Sequence, residues 1–269
     1  MTSSQCVRRV ICLPKTGSSF VARIFLRHNA IHEYDFSSIA YNALNAIKDK
    51  YIASEYIRKR GIFLSDKIDV STSLVFFLPH FPDLVSTSAS IYLVRDPFDW
   101  IVSMIQYAYK TFSIGELHQD ESWRINYGRL FVADIDKCIH LLSQPNEQAN
   151  FIRSFSKELL FRWLYYTQLI IDAASKVDLS TNNVFLTSRL SSIEFFEDAC
   201  RLFGYNATPP LMLFLKVNPT IPHSYIYDKV NKSLPGLSDK PLLCLNNIRE
   251  YILSIHDLFP SSGNDPNFL

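Results

Sequence analysis

The residues best suited to chemistry lie near the start of the chain, in the run Lys15-Thr16-Gly17-Ser18-Ser19-Phe20. Its lysine, its hydroxyls and its backbone N–H groups can all bind an oxyanion, and phosphate or sulfate accepts many such hydrogen bonds. The apolar run Val10–Leu13 ends at Pro14, which predicts a buried strand followed by a helix that begins near Ser18. The first N–H groups of that helix would face the same anion. The segment therefore predicts a site for an anion of phosphate or sulfate size.

The same run differs from a Walker A nucleotide-binding loop in the place of its lysine. Walker A reads G-x-x-x-x-G-K-[ST], with the lysine directly after the last glycine. Here Lys15 stands two residues before Gly17, and Arg8 and Arg9 lie where an earlier glycine would stand. This order argues against an ordinary ATPase or GTPase. The alternative is that this strand, glycine turn and helix bind no ligand and serve only the fold.

A second cationic position follows another predicted strand, Ser90–Val94. Asp96 is suited to cap a helix that starts at Pro97, so Arg95 falls at the carboxyl end of the strand. Ligands of open α/β sheets bind at that edge. Ser103 comes near the second turn of the helix, and its hydroxyl could join the guanidinium of Arg95 on a further anionic group. The alternative is a salt bridge from Arg95 to a neighbouring aspartate.

Together the two segments resemble the sulfotransferases that use 3′-phosphoadenosine 5′-phosphosulfate (PAPS). Residues Lys15–Phe20 match the family loop K-[ST]-G-[ST]-[ST]-[WF], and Arg95 and Ser103 stand in an R-D-P-x-D-x-x-x-S setting. The resemblance implies that the loop binds the phosphosulfate end of the donor. It also implies that Phe20 stacks on the adenine; the alternative is that Phe20 is an ordinary core residue. It also implies that Arg95 and Ser103 hold the ribose phosphate. A donor with phosphates at two ends needs two separate anion sites, and the two segments agree with that requirement.

The resemblance further implies a P-loop-NTPase-like α/β fold, in which helices flank a parallel sheet, and an enzyme that needs no metal. Such an enzyme moves a sulfuryl group from PAPS to a hydroxyl of a small acceptor, with an amine as the second choice. One alternative is a nucleotide or metabolite kinase with an irregular P-loop, which would need Mg²⁺ held by a carboxylate near the loop. The other is a catalytically inactive nucleotide-binding module, because the glycine-rich R-K-G-x-x-G-D-W-K-N loop of cytosolic members is missing. The segment Leu215–Asn218, followed by Thr220 and Ser224, could replace that loop.

The expected reaction also needs cations and a base. Sulfuryl transfer leaves negative charge on the bridging oxygen of the donor, and Lys15 and Lys67 are suited to neutralise it. Family members often carry a lysine followed two residues later by a histidine, and here Lys67 and Asp69 fill those positions in a strand predicted over Ile62–Asp69. A carboxylate can take the proton of the acceptor. Asp69 is therefore the first candidate base and Asp66 the second, and a surface position in a strand-end turn is the alternative.

The pattern elsewhere alternates strands and helices. We expect helices over Tyr41–Arg60 and Phe151–Lys176, a strand over Asn183–Thr187, and then a capped helix that ends at Gly204. The basic run Arg58–Arg60 is expected to complement the dipole at the end of its helix. This order is typical of an α/β protein.

No repeat, low-complexity tract or linker divides the chain, so we expect residues 1–269 to form a single domain. Two irregular segments, 107–150 and 208–241, are candidate lids or walls of an acceptor pocket, because loops often carry function. Ordinary irregular packing is the alternative for both.

The composition limits the class of protein and its partners. Hydrophobic residues make up 48% and charged residues 20%, which favours a globular fold over disorder. A formal net charge of +1 argues against a nucleic-acid-binding surface. The residues before Pro14 hold no apolar run long enough for a signal peptide or a membrane span, and the five cysteines are scattered. We therefore expect a cytoplasmic protein with reduced thiols that binds no membrane; its oligomeric state is not predicted.

Overall fold

The computed structural model describes residues 7–46, 48–87, 89–113, 140–141, 144, 146–176, 183–207 and 224–260. Five strands and nine helices lie in these ranges. The strands are β1 (Arg8–Cys12), β2 (Ala30–His32), β3 (Ile68–Ser71), β4 (Ser90–Val94) and β5 (Val184–Leu186). The helices are α1 (Ser18–Ile24), α2 (Phe36–Asn45), α3 (Lys50–Phe63), α4 (Pro82–Val85), α5 (Pro97–Ser113), α6 (Gln148–Lys176), α7 (Ile193–Phe203), α8 (Ser224–Ser233) and α9 (Ile248–Leu258). Three short 3₁₀ turns cover Leu26–His28, Leu74–Phe77 and Thr187–Arg189.

The five strands form one parallel sheet in the order β2-β3-β1-β4-β5. Val10, in the central strand β1, lies opposite Val70 of β3 on one side and opposite Ile91 of β4 on the other. The chain leaves β1 toward β2 and β3 and later crosses to β4 and β5, so the strand order changes direction at β1. In open α/β sheets, ligands bind outside the carboxyl ends of the strands at such a point. The loop after β1 therefore begins at the expected place for a ligand.

Helices cover both faces of the sheet, and β1 is packed from each side. Ile11 belongs to the larger core cluster with residues of α5 and α6, whereas Val10 and Cys12 belong to the smaller cluster with α1 and α7. Successive side chains of a strand point to opposite faces, so both faces of β1 are buried. The predicted α/β fold with a parallel sheet flanked by helices is confirmed. No helix in the described ranges is long and apolar enough to span a membrane.

Two predictions of local structure are wrong. The helix expected over Tyr41–Arg60 is divided into α2 and α3, because Asp49 caps a new helix by accepting a hydrogen bond of 3.0 Å from Ile52 N. Helix α3 then continues through Gly61 to Phe63, so the strand expected over Ile62–Asp69 begins only at Ile68. Because the strand begins at Ile68, Asp69 lies inside β3 and Lys67 lies immediately before it.

The carboxyl-terminal half of the sheet agrees better with the expectations. Strand β5 lies within the predicted range 183–187, and Ser192 caps α7 by accepting a hydrogen bond of 3.1 Å from Phe195 N. Gly204 follows α7 with a φ of 72°, the left-handed conformation that glycine adopts readily after a helix. Capping signals therefore located this helix correctly.

Candidate functional site

The loop that follows β1 has its backbone carbonyls held by side chains of neighbouring elements. Nε1 of Trp100, on α5, donates to Pro14 O over 2.6 Å. Nη1 of Arg95, at the end of β4, donates to Lys15 O over 2.7 Å. Both donors are themselves fixed, because Trp100 is fully buried and Arg95 O accepts a hydrogen bond of 2.9 Å from Trp163 Nε1.

A third carbonyl of the loop is held from the end of β5. Oγ1 of Thr187 lies 3.1 Å from Thr16 O and 3.2 Å from Val94 O, and the hydroxyl of Thr16 donates to Leu13 O. In a trans peptide the C=O and the N–H point in opposite directions. Trp100, Arg95 and Thr187 hold the carbonyls of residues 14–16. The N–H groups of residues 15–17 therefore point away from these three side chains.

Gly17 lets the chain enter α1 with a left-handed backbone, at φ 93° and ψ 12°. A Cβ at this position would clash with Cδ1 of Leu190, and the positive φ would strain any residue other than glycine. The N–H groups of Gly17, Ser18 and Ser19 donate to no described residue. They remain able to donate to the oxygens of a ligand. Since α1 has only seven residues, we attribute this capacity to the loop amides and not to a helix dipole.

A cavity of about 690 Å³ opens beside this loop. Of the residues predicted to bind the donor, Lys15, Gly17, Arg95 and Ser103 line it. The side chain of Ser103 is buried, and Nζ of Lys15 lies 4.0 Å from the ring centroid of Tyr107, within cation–π range. Two sequence motifs that are about eighty residues apart thus meet at one cavity.

Arg95 supplies this cavity with a half-buried positive charge. It forms no salt bridge with any described residue, so the predicted alternative of a salt bridge to a neighbouring aspartate does not occur there. Burial lowers the pKa of Arg95, while the more distant charges of Asp99 and Asp96 act to raise it. A guanidinium that has lost water without gaining a carboxylate favours an anionic ligand.

Asp96 is occupied by structural hydrogen bonds at the rim of the same cavity. Its Oδ1 accepts from Asp99 N over 3.0 Å, as expected for the cap of α5, and its Oδ2 accepts from Leu242 N over 2.8 Å. Burial raises the pKa of Asp96, and the backbone hydrogen bonds oppose that rise. Asp96 therefore joins the start of α5 to the segment that follows α8.

Ser18 and Ser19 point toward the end of β2, where sequence analysis identified no functional residue. Nε2 of His32 lies 3.0 Å from Ser18 Oγ and 3.4 Å from Ser19 Oγ. The next residue, Glu33, accepts hydrogen bonds from the N–H and the hydroxyl of Thr72 over 2.9 and 2.7 Å. The structure thus brings an imidazole and a carboxylate to the loop. Strand β2 has only three residues, too few to show an alternating pattern, so local periodicity gave no signal for this pair.

The structure does not bring the predicted base to the loop. Asp69 is fully buried inside β3, and its two carboxylate oxygens accept hydrogen bonds of 2.8 and 2.7 Å from Nε and Nη2 of Arg60. Lys67 and Asp66 precede β3 and so lie at the amino edge of the sheet, and Nζ of Lys67 is 4.7 Å from the ring centroid of Phe63. The structure thus places Lys67, Asp69 and Asp66 away from the loop, where their predicted catalytic roles would need them. Arg60 lies in the last turn of α3 and is also the buried partner of Asp69.

Phe20 also lies away from the cavity. It is half-buried and packs against the smaller core cluster, which supports the core alternative and not adenine stacking. The aromatic rings that line the cavity are those of Phe98 and Tyr227, whose centroids are 5.0 Å apart in an edge-to-face arrangement. An aromatic surface is therefore present, but α5 and α8 supply it.

The two predicted lid segments are described in part. Of the segment 208–241, residues 224–241 are described, and Tyr227, Ser238 and Pro241 line the cavity as wall residues. Leu215–Asn218 and Thr220, named as a replacement for the missing glycine-rich loop, lie outside the described residues. In the segment 107–150, residues 114–139 lie outside them as well.

Among the described residues, no group of three or more His, Cys, Asp or Glu side chains is placed to hold a metal ion. Comparisons of the chain with family models, with curated proteins and with solved structures found no match.

Proposed function

We propose that this chain is a PAPS-dependent sulfotransferase with a P-loop-NTPase-like fold. It would move a sulfuryl group to a hydroxyl, or as the second choice an amine, of a small acceptor. The observation that carries the proposal is the meeting of two predicted anion-binding elements at one cavity, which is lined by Lys15 and Gly17 of the loop and by Arg95 and Ser103. That cavity, at about 690 Å³, is within the range of about 300–1,000 Å³ typical of small-molecule sites.

The proposed orientation of the donor follows from the positions of the donor groups. The phosphosulfate end would accept hydrogen bonds from the N–H groups of residues 17–19 and lie near the Lys15 ammonium. The ribose phosphate would lie against Arg95 and the buried hydroxyl of Ser103, because a guanidinium binds a phosphate through two parallel hydrogen bonds. The adenine would contact Tyr227 on the apolar wall of the cavity.

The reaction then needs little covalent participation by the protein. The bond between sulfur and the bridging oxygen of the donor breaks, and the bond between sulfur and the acceptor oxygen forms on the opposite side. Lys15 would stabilise the charge that grows on the bridging oxygen. The acceptor proton would pass to Nε2 of His32, which lies beside Ser18, and the carboxylate of Glu33, 3.8 Å from that nitrogen, would stabilise the imidazolium.

Ligand-dependent thermal stability tests the nucleotide specificity. Phosphoadenosine phosphate, the product of the donor, should raise the melting temperature of the protein, whereas ATP with Mg²⁺ should not, because a ligand stabilises only the state that binds it. Equal stabilisation by ATP with Mg²⁺ would favour the kinase alternative and overturn the proposal.

Transfer of labelled sulfate from PAPS to a panel of phenols, alcohols and amines tests the activity. Lys15→Ala should lower turnover by at least about a hundredfold, as expected when a group that stabilises transition-state charge is removed. Lys157→Ala, which removes an exposed lysine of α6, is the matched control and should keep full activity. An unimpaired Lys15→Ala variant would contradict the role given to Lys15.

The inactive nucleotide-binding module remains a second candidate because the structure places Lys67 and Asp69 away from the loop. Stabilisation by phosphoadenosine phosphate without transfer to any acceptor in the panel would favour it. Substitution of His32 by Gln separates the two candidates further. It should reduce turnover at neutral pH and leave nucleotide-dependent stabilisation unchanged if His32 accepts the proton.

A further inference from the structure

A second cavity, of about 650 Å³, lies at the amino edge of the sheet, at the opposite end of the strands from the loop. Its lining includes three arginines, Arg8, Arg27 and Arg201, together with His28 and Tyr205. Strand β1 starts at Arg8 and ends before the loop. At about 3.3 Å per residue, this five-residue strand alone separates the two cavities by roughly 13 Å.

Arg8 is held in a fixed orientation at the cavity wall. Its Nε donates to Phe203 O, the last carbonyl of α7, over 2.7 Å, and its guanidinium carbon lies 4.8 Å from the ring centroid of Tyr205. Its two Nη groups donate to no described residue. The guanidinium is therefore oriented in advance, with both terminal nitrogens available for a ligand.

Tyr205 and His28 form the next part of the wall. Their rings are stacked at a centroid distance of 4.2 Å with an interplanar angle of 17°. The left-handed turn at Gly204 brings Tyr205 back to α7, where its N–H donates to Cys200 O over 2.8 Å. The stack of Arg8, Tyr205 and His28 thus joins the start of β1, the turn after α1 and the residue after Gly204 in one surface.

The charges at this cavity are predominantly positive. Asp66 is its one acidic lining residue, against three arginines. Arg8 and Arg27 form no salt bridge with a described residue, and Arg201 pairs only with the partly exposed Asp198, at 3.1 Å. An exposed pair of this kind is weak and leaves Arg201 able to contact a ligand.

We propose that this second cavity binds a small, multiply charged oxyanion of the phosphate-ester or sulfate-ester class. Guanidinium groups match the geometry of such oxyanions by donating two parallel hydrogen bonds. Three guanidiniums around one cavity suit a ligand that carries more than one negative charge. The site is separate from the loop cavity and does not depend on the function proposed for the loop.

Calorimetric titration with sodium pyrophosphate tests the site. The background is Lys15→Ala protein, in which the loop cavity keeps only the Arg95 cation among its described lining residues, and binding should persist there. The added pair Arg27→Ala and Arg201→Ala, both at exposed positions, should weaken that binding at least about tenfold, because two guanidinium groups that can donate to the anion are removed. Arg153→Ala removes an exposed arginine of α6 as the matched control and should bind like the background protein.

Unchanged affinity in the double-arginine variant, or no pyrophosphate binding by the Lys15→Ala protein, would overturn the proposal. Equal melting temperatures of the variants without ligand will show that the substitutions leave the fold intact. Titration with 4-nitrophenyl phosphate and with 4-nitrophenyl sulfate then identifies the preferred ester. A failure of phosphoadenosine phosphate to stabilise the protein would concern the loop cavity alone, so the two proposals fail separately.

Discussion

The substitution Asp69→Asn distinguishes a buried structural carboxylate from a catalytic base. The side chains of Arg60 and Asp69 are 2% and 0% exposed, and two hydrogen bonds join them. Arg60 also donates to Tyr34 O and lies 3.4 Å from the hydroxyl of Tyr56. Burial by itself would lower the pKa of Arg60, but the hydrogen bonds and charge of Asp69 outweigh it and raise that pKa. Both charged groups of this ion pair are thus buried, and each neutralises the other.

The expected loss of stability is large because asparagine leaves the guanidinium of Arg60 buried without a negative partner. Removal of one partner from a buried pair costs about 3–5 kcal/mol. The whole free energy of unfolding of a natural domain is about 5–15 kcal/mol, so Asp69→Asn should lower the urea midpoint by a substantial fraction. The double substitution Arg60→Met with Asp69→Leu should cost less, since no unpaired charge remains.

Urea denaturation followed by tryptophan fluorescence measures these effects. Asp66→Asn, at an exposed position that forms no salt bridge with a described residue, is the matched control and should stay within about 0.5 kcal/mol of the parent protein. If Asp69→Asn lost less than about 1 kcal/mol of stability but abolished sulfate transfer, Asp69 would be the base that its sequence position predicts. The structural interpretation would then be refuted.

Three further predictions concern the loop and the thiols. Gly17→Ala should abolish stabilisation by phosphoadenosine phosphate, since its Cβ would clash with Cδ1 of Leu190. Gly204→Ala, at a similar φ in open space, should only lower the free energy of unfolding, by about 1–2 kcal/mol. Trp100→Phe should cost about 1–3 kcal/mol in urea denaturation because it leaves Pro14 O without its donor. Burial raises the pKa of Cys12 to about 12, so its thiol stays protonated and unreactive at mildly alkaline pH. Iodoacetamide should therefore label the exposed Cys244 and not Cys12 in the native protein, and mass analysis of the peptides measures this. The stability contributed by the protonated Cys12 thiol is complete below its ordinary pKa of 9.0 and is lost as the pH rises toward 12.

Each of these predictions has a contradicting result. Nucleotide-dependent stabilisation that survives Gly17→Ala would show that the loop conformation does not determine binding. A Trp100→Phe variant as stable as the parent would mean that water replaces the indole at Pro14 O. Rapid labelling of Cys12 in folded protein would show that β1 opens to solvent.

Local sequence patterns correctly predicted the features that depend on neighbouring residues. Asp96 caps α5 and Ser192 caps α7 because a cap depends on residues within one helical turn. The prediction failed around β3, where α3 continues past Gly61 and the strand starts late. Arg60 and Asp69 each carry a charge that local pattern assigns to the surface. Their mutual burial requires contact between a helix and a strand, which no single segment encodes.

The sequence by itself determined which chemical groups the loop contains and so the prediction that it binds an anion. A lysine, a glycine and hydroxyls directly after an apolar run are enough to predict an anion site, because the strand, the turn and the helix start are consecutive in the chain.

Only the tertiary structure decided how that loop is oriented and which groups surround it. Its carbonyls are held by Trp100, Arg95 and Thr187, which lie 80 to 171 residues from their acceptors along the chain. The same packing brought His32 to the loop and placed Asp69 out of reach. Hydrogen bonds across such separations depend on the parallel order of the strands and on the packing of α5, and neither can be derived from local residue patterns.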